Sequence, residues 1–451
     1  MQPPTPKPLW RMFLTFLWPM MLSNVLQALS GTLNNIFLGH MIGVKALASA
    51  SVVFPVVFFC IATVMGLASG ATVLIGQAFG ARDEERLKSV AAVAVGATAI
   101  TGVAMALGGL ILAPAMMRVL GAPTDIYADA VAYTRAIAFA MPALVVFLLY
   151  TAMLRGVGDT RTPLWALAVS TLVGLVVTPL LIKGWLGLPP LGPASAAWAS
   201  AVSSVAGMSW LGWTLHRRGH VLAPNKAFLA HMRMDPAILK LVLIIGVPAA
   251  LQMVAMSLAE IVLLGLVNSF GSDATAAYGA VNQVMAYVQF PALSIAITAS
   301  ILGAQAIGAG HAERLRPIVR TAMMMNLIIT GGGVLLCYIF AEPIVRAFIS
   351  RGEVVELTQT LLHIVLWSCV VMGMGSILSA IMRASGEVWV PTLISIAIIL
   401  VVEAPTGWIL SHRFGVTGVW WAWPAAFTMI LLAQTAYYKL VWSKKTITRL
   451  I

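Results

Sequence analysis

The chain has 451 residues, of which 60% are hydrophobic and 9% charged, with a formal net charge of +12 and a mean hydropathy of +0.96. Soluble domains carry roughly 25% charged residues. The composition therefore argues against a soluble enzyme, a nucleic-acid binder or a disordered chain, and for a polytopic membrane protein whose apolar surface faces lipid.

Twelve continuous apolar runs follow in chain order, at 12–38, 46–78, 88–113, 127–153, 162–183, 193–215, 239–268, 274–303, 317–341, 355–382, 389–411 and 416–441. Each meets the requirement of roughly 20 apolar residues for a spanning helix, and none shows the ten-residue alternation of a membrane β-strand. The first run is too long for a cleaved signal segment. It carries many polar residues for a span: Ser23, Asn24, Gln27, Asn34 and Asn35. Gln27 and Asn34 are seven apart and share a helix face. Arg135 lies within span 4, where it either snorkels outward or pairs with Asp129, or meets an anionic group in a cavity. The longest polar connector, 216–238, separates six spans from six, giving an N-lobe at 1–215, a C-lobe at 239–441 and a tail at 442–451. Trp420, Trp421 and Trp423 open span 12 and are expected in an interfacial aromatic belt. Cys60, Cys337 and Cys369 lie in apolar stretches without metal or disulfide spacing.

The basic residues divide by connection. One side, with both termini and the even-numbered connections, holds 20 of the 27 Lys and Arg; the other holds 6, and Arg135 lies within a span. This asymmetry predicts that both termini are cytoplasmic. The positive charge thus reads as topology, and no nucleic-acid partner is expected.

The two halves echo each other. Gly76-Gln77-Ala78-Phe79-Gly80 leads to Glu85-Arg86-Leu87, and Ala304-Gln305-Ala306-Ile307-Gly308 leads to Glu313-Arg314-Leu315, at an offset of 228. Leu154-Arg155, Gly158-Asp159 and Pro163 match Met382-Arg383, Gly386-Glu387 and Pro391 at the same offset. Leu191-Gly192 and Trp198-Ala199 match Phe414-Gly415 and Trp421-Ala422 at 223. An even number of spans per repeat preserves orientation. The expected fold is therefore all-α, with two six-helix lobes related by a pseudo-two-fold axis along the membrane normal, as in two-lobed transporters.

Four elements, in order, resemble the multidrug and toxic compound extrusion (MATE) family. They are Gln27 with Asn34-Asn35-Ile36-Phe37-Leu38-Gly39; Gly76-Gln77-Ala78-Phe79-Gly80-Ala81; Leu154-Arg155-Gly156-Val157-Gly158-Asp159-Thr160-Arg161-Thr162-Pro163; and Pro405-Thr406-Gly407-Trp408-Ile409-Leu410. The major facilitator signature fits the second connection only loosely. The MATE resemblance implies two six-helix lobes around a central cavity. It also implies export of amphipathic, often cationic compounds against inward H⁺ or Na⁺, from a bacterial inner membrane, with no other cofactor. A monomer is expected. The chain departs from the family where many members carry acids. Span 1 has Asn34 in place of Asp, and span 5 reads Gly174-Leu175-Val176-Val177-Thr178-Pro179 in place of N-x-x-x-D-P. In span 7, Met256 stands where many members have Glu, and the acid here is Glu260, one turn on.

Two acids remain deep within spans, Glu260 and Glu403, each eight residues before a span end at Asn268 and Ser411. An ionised carboxylate there costs about 2.5–3.5 kcal/mol on insertion scales, so each should face a cavity or a partner. This pair is the expected coupling site, replacing the missing N-lobe acids. Gln27, Asn34, Met256, Asn282, Gln283 and Gln289 are the expected cavity residues. The rival functions are a flippase for a lipid-linked saccharide, which would want a cationic cavity, and a membrane-embedded enzyme, for which no convergent catalytic set is present.

Overall fold

The computed structural model describes residues 8–184, 191–224, 228, 234–346 and 352–451. Lys7, Lys226, Arg233 and Arg351, which enter the division of basic residues, lie outside the described residues. All regular elements among those described are helical. Twelve are long: α1 (Leu9–Ile42), α2 (Val44–Gly80), α3 (Glu84–Val119), α4 (Tyr127–Gly156), α5 (Arg161–Lys183), α6 (Ser195–Arg217), α7 (Pro236–Asn268), α8 (Ser272–Gly308), α9 (Ala312–Ile339), α10 (Gly352–Ala384), α11 (Trp389–Phe414) and α12 (Val416–Lys444). Eleven are long and apolar enough to cross a membrane. The exception, α6, has 23 residues, but its five serines dilute its hydropathy. The chain is a multi-pass integral membrane protein.

By contacts the chain divides into two units. One holds Leu22–Ala250, the other Met1–Met21 with Leu251–Leu450. The division does not follow the 216–238 connector. It cuts α1 and α7 two residues after Pro19 and Pro248, which lie inside these helices. A proline within a helix removes one backbone hydrogen bond and its ring crowds the preceding turn, so each helix changes direction most readily there.

In the first unit α4 is central, packed on α2, α3 and α6, while α5 lies on α6. Its core includes Val53, Val64, Met117, Ile137, Met141 and Val145. Lipid supplies no hydrophobic force between spanning helices, so close packing of small residues holds them together. The start of α7 shows this against α2. A Cβ on Gly66 would lie 2.5 Å from the Gly246 carbonyl oxygen, and one on Gly246 would lie 2.7 Å from that of Gly66. Gly70 stands equally close to Val242. Gly66 and Gly70 are one turn apart, as are Val242, Gly246 and Ala250, so the glycine seam of α2 lies directly on the backbone of α7.

In the second unit α10 takes the central place, packed on α8, α9 and α12. Its core gathers Tyr278, Val281, Leu361, Val365, Cys369, Trp420 and Trp423. The expected aromatic belt is corrected here. Trp420 is 0% and Trp423 7% exposed, and their rings pack on Tyr278 with centroids 5.4 and 6.2 Å away; only Trp421 is exposed. Helix packing claimed two rings that the sequence position assigned to the membrane surface.

The repeat is written into the backbone. Left-handed conformations occur at Gly43 and Gly271, at Arg82 and Gly310, and at Gly158 and Gly386, each pair 228 apart, and at Gly192 and Gly415, 223 apart. The Gly158 turn shows why. Its N–H bonds the Arg155 carbonyl at 2.9 Å and the Asp159 N–H bonds that of Leu154 at 2.9 Å, closing the end of α4. Gly386 and Glu387 make the same bonds to Arg383 and Met382. Asp159 then accepts from the Thr162 backbone N–H at 3.0 Å and from its hydroxyl, capping α5. Arg155 turns back on Thr151, donating to its carbonyl at 3.1 Å and its hydroxyl at 3.3 Å. The L-R-G-x-G-D-T-x-x-P element is thus a helix stop followed by a helix start.

Candidate functional site

Glu260 and Glu403 both lie in the second unit, on α7 and α11. The sequence puts them level because both helices are odd-numbered and run the same way. Packing sets the distance. Gly407, four residues after Glu403, faces Leu263, three residues after Glu260, and a Cβ on Gly407 would lie 2.6 Å from the Leu263 Cδ2. The absent side chain lets α11 approach α7. The two carboxylates come within range of each other's charge.

Glu403 is buried at 6% exposure, at the end of a π turn, Ile399–Glu403. The Ala404 N–H bonds the Ile399 carbonyl in place of the usual partner. Pro405 follows and brings no N–H of its own. A π turn widens the helix locally and is common at functional positions. Glu260 is exposed on the face of α7 that also carries exposed Met256, one turn before it. Its Oε1 accepts from the Asn282 amide at 3.3 Å. Tyr278, one turn before Asn282 on α8, turns its hydroxyl towards Glu260 and Asn282 and also lies within reach of the Glu403 charge. That hydroxyl is buried and closes no hydrogen bond of good geometry. Two carboxylates, an amide and a phenol hydroxyl therefore converge, with spare acceptor capacity on both acids. Such a group can take up a proton on one of the acids or offer oxygen ligands to a small cation.

Other expected residues fall elsewhere. Gln283 is half-buried, a hundred degrees round α8 from Asn282. Gln289 reaches the Cys369 thiol on α10. In the first unit, Asn34 is half-buried and its Oδ1 accepts from the Thr178 hydroxyl at 3.3 Å. Gln27 is exposed. Arg135 is exposed and reaches the Leu110 carbonyl at 3.4 Å. Tyr278 was missed by the sequence reading; its i, i+4 spacing to Asn282 on a polar-bearing face is the signal that could have found it. Asn326 was missed as well. It is fully buried at a second π turn, donates to the Val370 carbonyl at 2.9 Å and accepts from Thr330 at 2.9 Å. Nothing in the hydropathy of α9 marks it.

An all-helical membrane protein of two repeated units, with paired acids and amides within its spans, belongs to the class of polytopic transporters. The MatE family model matches residues 19–180 and 248–409, two segments of equal length whose starts are 229 apart. The chain belongs to the MATE family. It is 42% identical over 444 residues, 98% of this chain and 96% of the relative, to the probable multidrug resistance protein YoeA of Bacillus subtilis. It is 24% identical to the multidrug export protein MepA of Staphylococcus aureus, covering 98% of this chain and 96% of that one. Among solved structures, the bent form of the Vibrio cholerae MATE transporter VcmN superposes with a TM-score of 0.87 at 22% identity, over 96% of this chain and 97% of that one. A MOP superfamily transporter from Pyrococcus furiosus, described as having a binding pocket of reversed polarity that suggests a different function, superposes with a TM-score of 0.87 at 23% identity over 97% of both chains. These likenesses support the fold.

Proposed function

We propose that the chain is a multidrug efflux antiporter of the bacterial inner membrane, exporting amphipathic cations in exchange for H⁺ or Na⁺ by alternating access. The carrying observation is the convergence of Glu260, Asn282, Tyr278 and Glu403 in one unit. Glu260 and Glu403 are the coupling pair, and ion binding there favours one facing state while drug favours the other. Met256, Gln27, Asn34, Gln283 and Gln289 are the proposed substrate-facing residues. The family supports transport, the names of the relatives support drugs, and the charge asymmetry of the connections supports cytoplasmic termini.

The flippase reading has one consideration in its favour, the reversed pocket polarity ascribed to the Pyrococcus furiosus protein. The side chains gathered around Glu260 here are acidic, amide or phenolic, which suits a cationic cargo better than an anionic saccharide carrier. The test is ethidium or fluoroquinolone efflux from proteoliposomes with imposed pH and Na⁺ gradients applied separately. Efflux driven by either gradient is expected; no response to both overturns the reading.

A further inference from the structure

The last turns of α6 carry Trp210, Trp213, Thr214 and Arg217 at spacing i, i+3, i+4, i+7, which places them on one helix face. With Arg218 they line a cavity of about 440 Å³. Trp213 is 59% exposed, and the Arg217 guanidinium carbon sits 5.3 Å from its ring centroid. Arg218 donates from Nη1 to the Thr162 hydroxyl at 3.4 Å and has further N–H groups to offer. Asp159, the acid whose charge reaches His220 beside Arg218, is held by its bonds to Thr162. Thr214 is 6% exposed, and its hydroxyl is buried without a hydrogen bond. That is unusual on this helix: Ser200, Ser203 and Ser204 all bond the carbonyl one turn back.

The cavity combines two indoles and two guanidiniums at the C-terminal end of α6. Indoles at that level face the junction of acyl chain and headgroup, and guanidiniums recognise phosphate. We propose that this cavity binds the phosphate of an anionic membrane lipid. The phosphate is held by Arg217 and Arg218, and the glycerol and first methylenes lie on Trp210 and Trp213. A free phosphate would satisfy the cations but leave the indole walls bare.

The test uses the full chain purified in detergent, titrated with phosphatidylglycerol or phosphatidylcholine and read by native mass spectrometry and thermal shift, with inorganic phosphate and glycerol 3-phosphate as separate arms. Retention of phosphatidylglycerol over phosphatidylcholine is expected, reduced about fivefold in Arg217→Gln and unchanged in Arg316→Gln, a basic residue on another helix. Trp213→Ala, on the exposed wall, gives an independent reading with the same loss expected. Wild-type retention in both variants, or inorganic phosphate alone raising the melting temperature as much as the lipid, overturns the proposal.

Discussion

The Thr178 hydroxyl donates to the Asn34 side-chain oxygen at 3.3 Å, joining α5 to α1. These are two of the three positions at which the sequence departs from the acids expected by family resemblance, Met256 being the other, and the fold puts Asn34 and Thr178 in contact. Where the resemblance implies two carboxylates, the chain holds a neutral amide–hydroxyl pair. Gly174, which stands in place of the Asn of the same span-5 element, closes the same region, since a Cβ on it would meet the Ser203 hydroxyl at 2.9 Å. The first unit therefore holds a hydrogen bond here, with no titratable side chain at either position.

That hydrogen bond should contribute to stability and not to ion coupling. Interhelical hydrogen bonds in membranes average about 0.6 kcal/mol. Thr178→Val is expected to lower thermal stability slightly and to leave the pH and Na⁺ dependence of efflux unaltered. A change in ion dependence, measured in proteoliposomes, would contradict this.

Glu260→Gln and Glu403→Gln should each reduce gradient-driven efflux at least about tenfold, equivalent to ~1.4 kcal/mol, with unchanged membrane levels. Asn282→Ala should give a smaller loss, because it removes one neutral donor from Glu260 and leaves the charge. Full efflux against a gradient by both glutamine variants would remove the coupling role.

Gly407 spaces α11 from α7. Gly407→Val should force Leu263 and its helix away, at a cost of about 1–3 kcal/mol in stability, and should reduce efflux by separating the acids. Ala at this position should show the same effects more weakly. Melting temperature and transport assayed together check both parts.

His220 follows α6, outside the spans. Burial pushes its pKa below the ordinary histidine value, Asp159 opposes this and Arg218 adds to it. Its Nδ1 accepts from the Leu222 backbone N–H at 3.2 Å, which requires that nitrogen to be unprotonated. Protonation therefore costs more in the folded chain than in the unfolded one. The stability contribution is complete above about pH 6.5 and is lost as pH falls towards the depressed folded value. The melting temperature in detergent should drop between pH 7.5 and 5, and His220→Gln should drop less; an equal drop would show that His220 does not contribute.

Gly386→Ala should destabilise the end of α10. It imposes a side chain on a φ of 88° and meets Leu450 of the C-terminal tail at 2.7 Å. The left-handed conformation alone costs roughly 1–2 kcal/mol for a residue with a Cβ. The tail is also fastened here by Trp442, whose indole N–H donates to the Ser385 hydroxyl at 2.9 Å, so limited proteolysis of the tail should quicken in the variant.

The sequence by itself determined the class, the twelve long helices and the repeat, because lipid requires long apolar helices and a duplication leaves turn glycines at a constant offset. It also singled out Glu260 and Glu403, since a charge within an apolar run stands out against its neighbours. Only the tertiary structure decided which polar groups meet. Asn34 with Thr178, Asn282 with Glu260, and Tyr278 beside both acids depend on helix rotation, which periodicity cannot supply when nearly every face is apolar. The same reason explains Trp420 and Trp423: position along the chain gave their depth, and packing around Tyr278 turned them into the core. The proline positions were visible, yet only contacts revealed that α1 and α7 divide between the two units just beyond them.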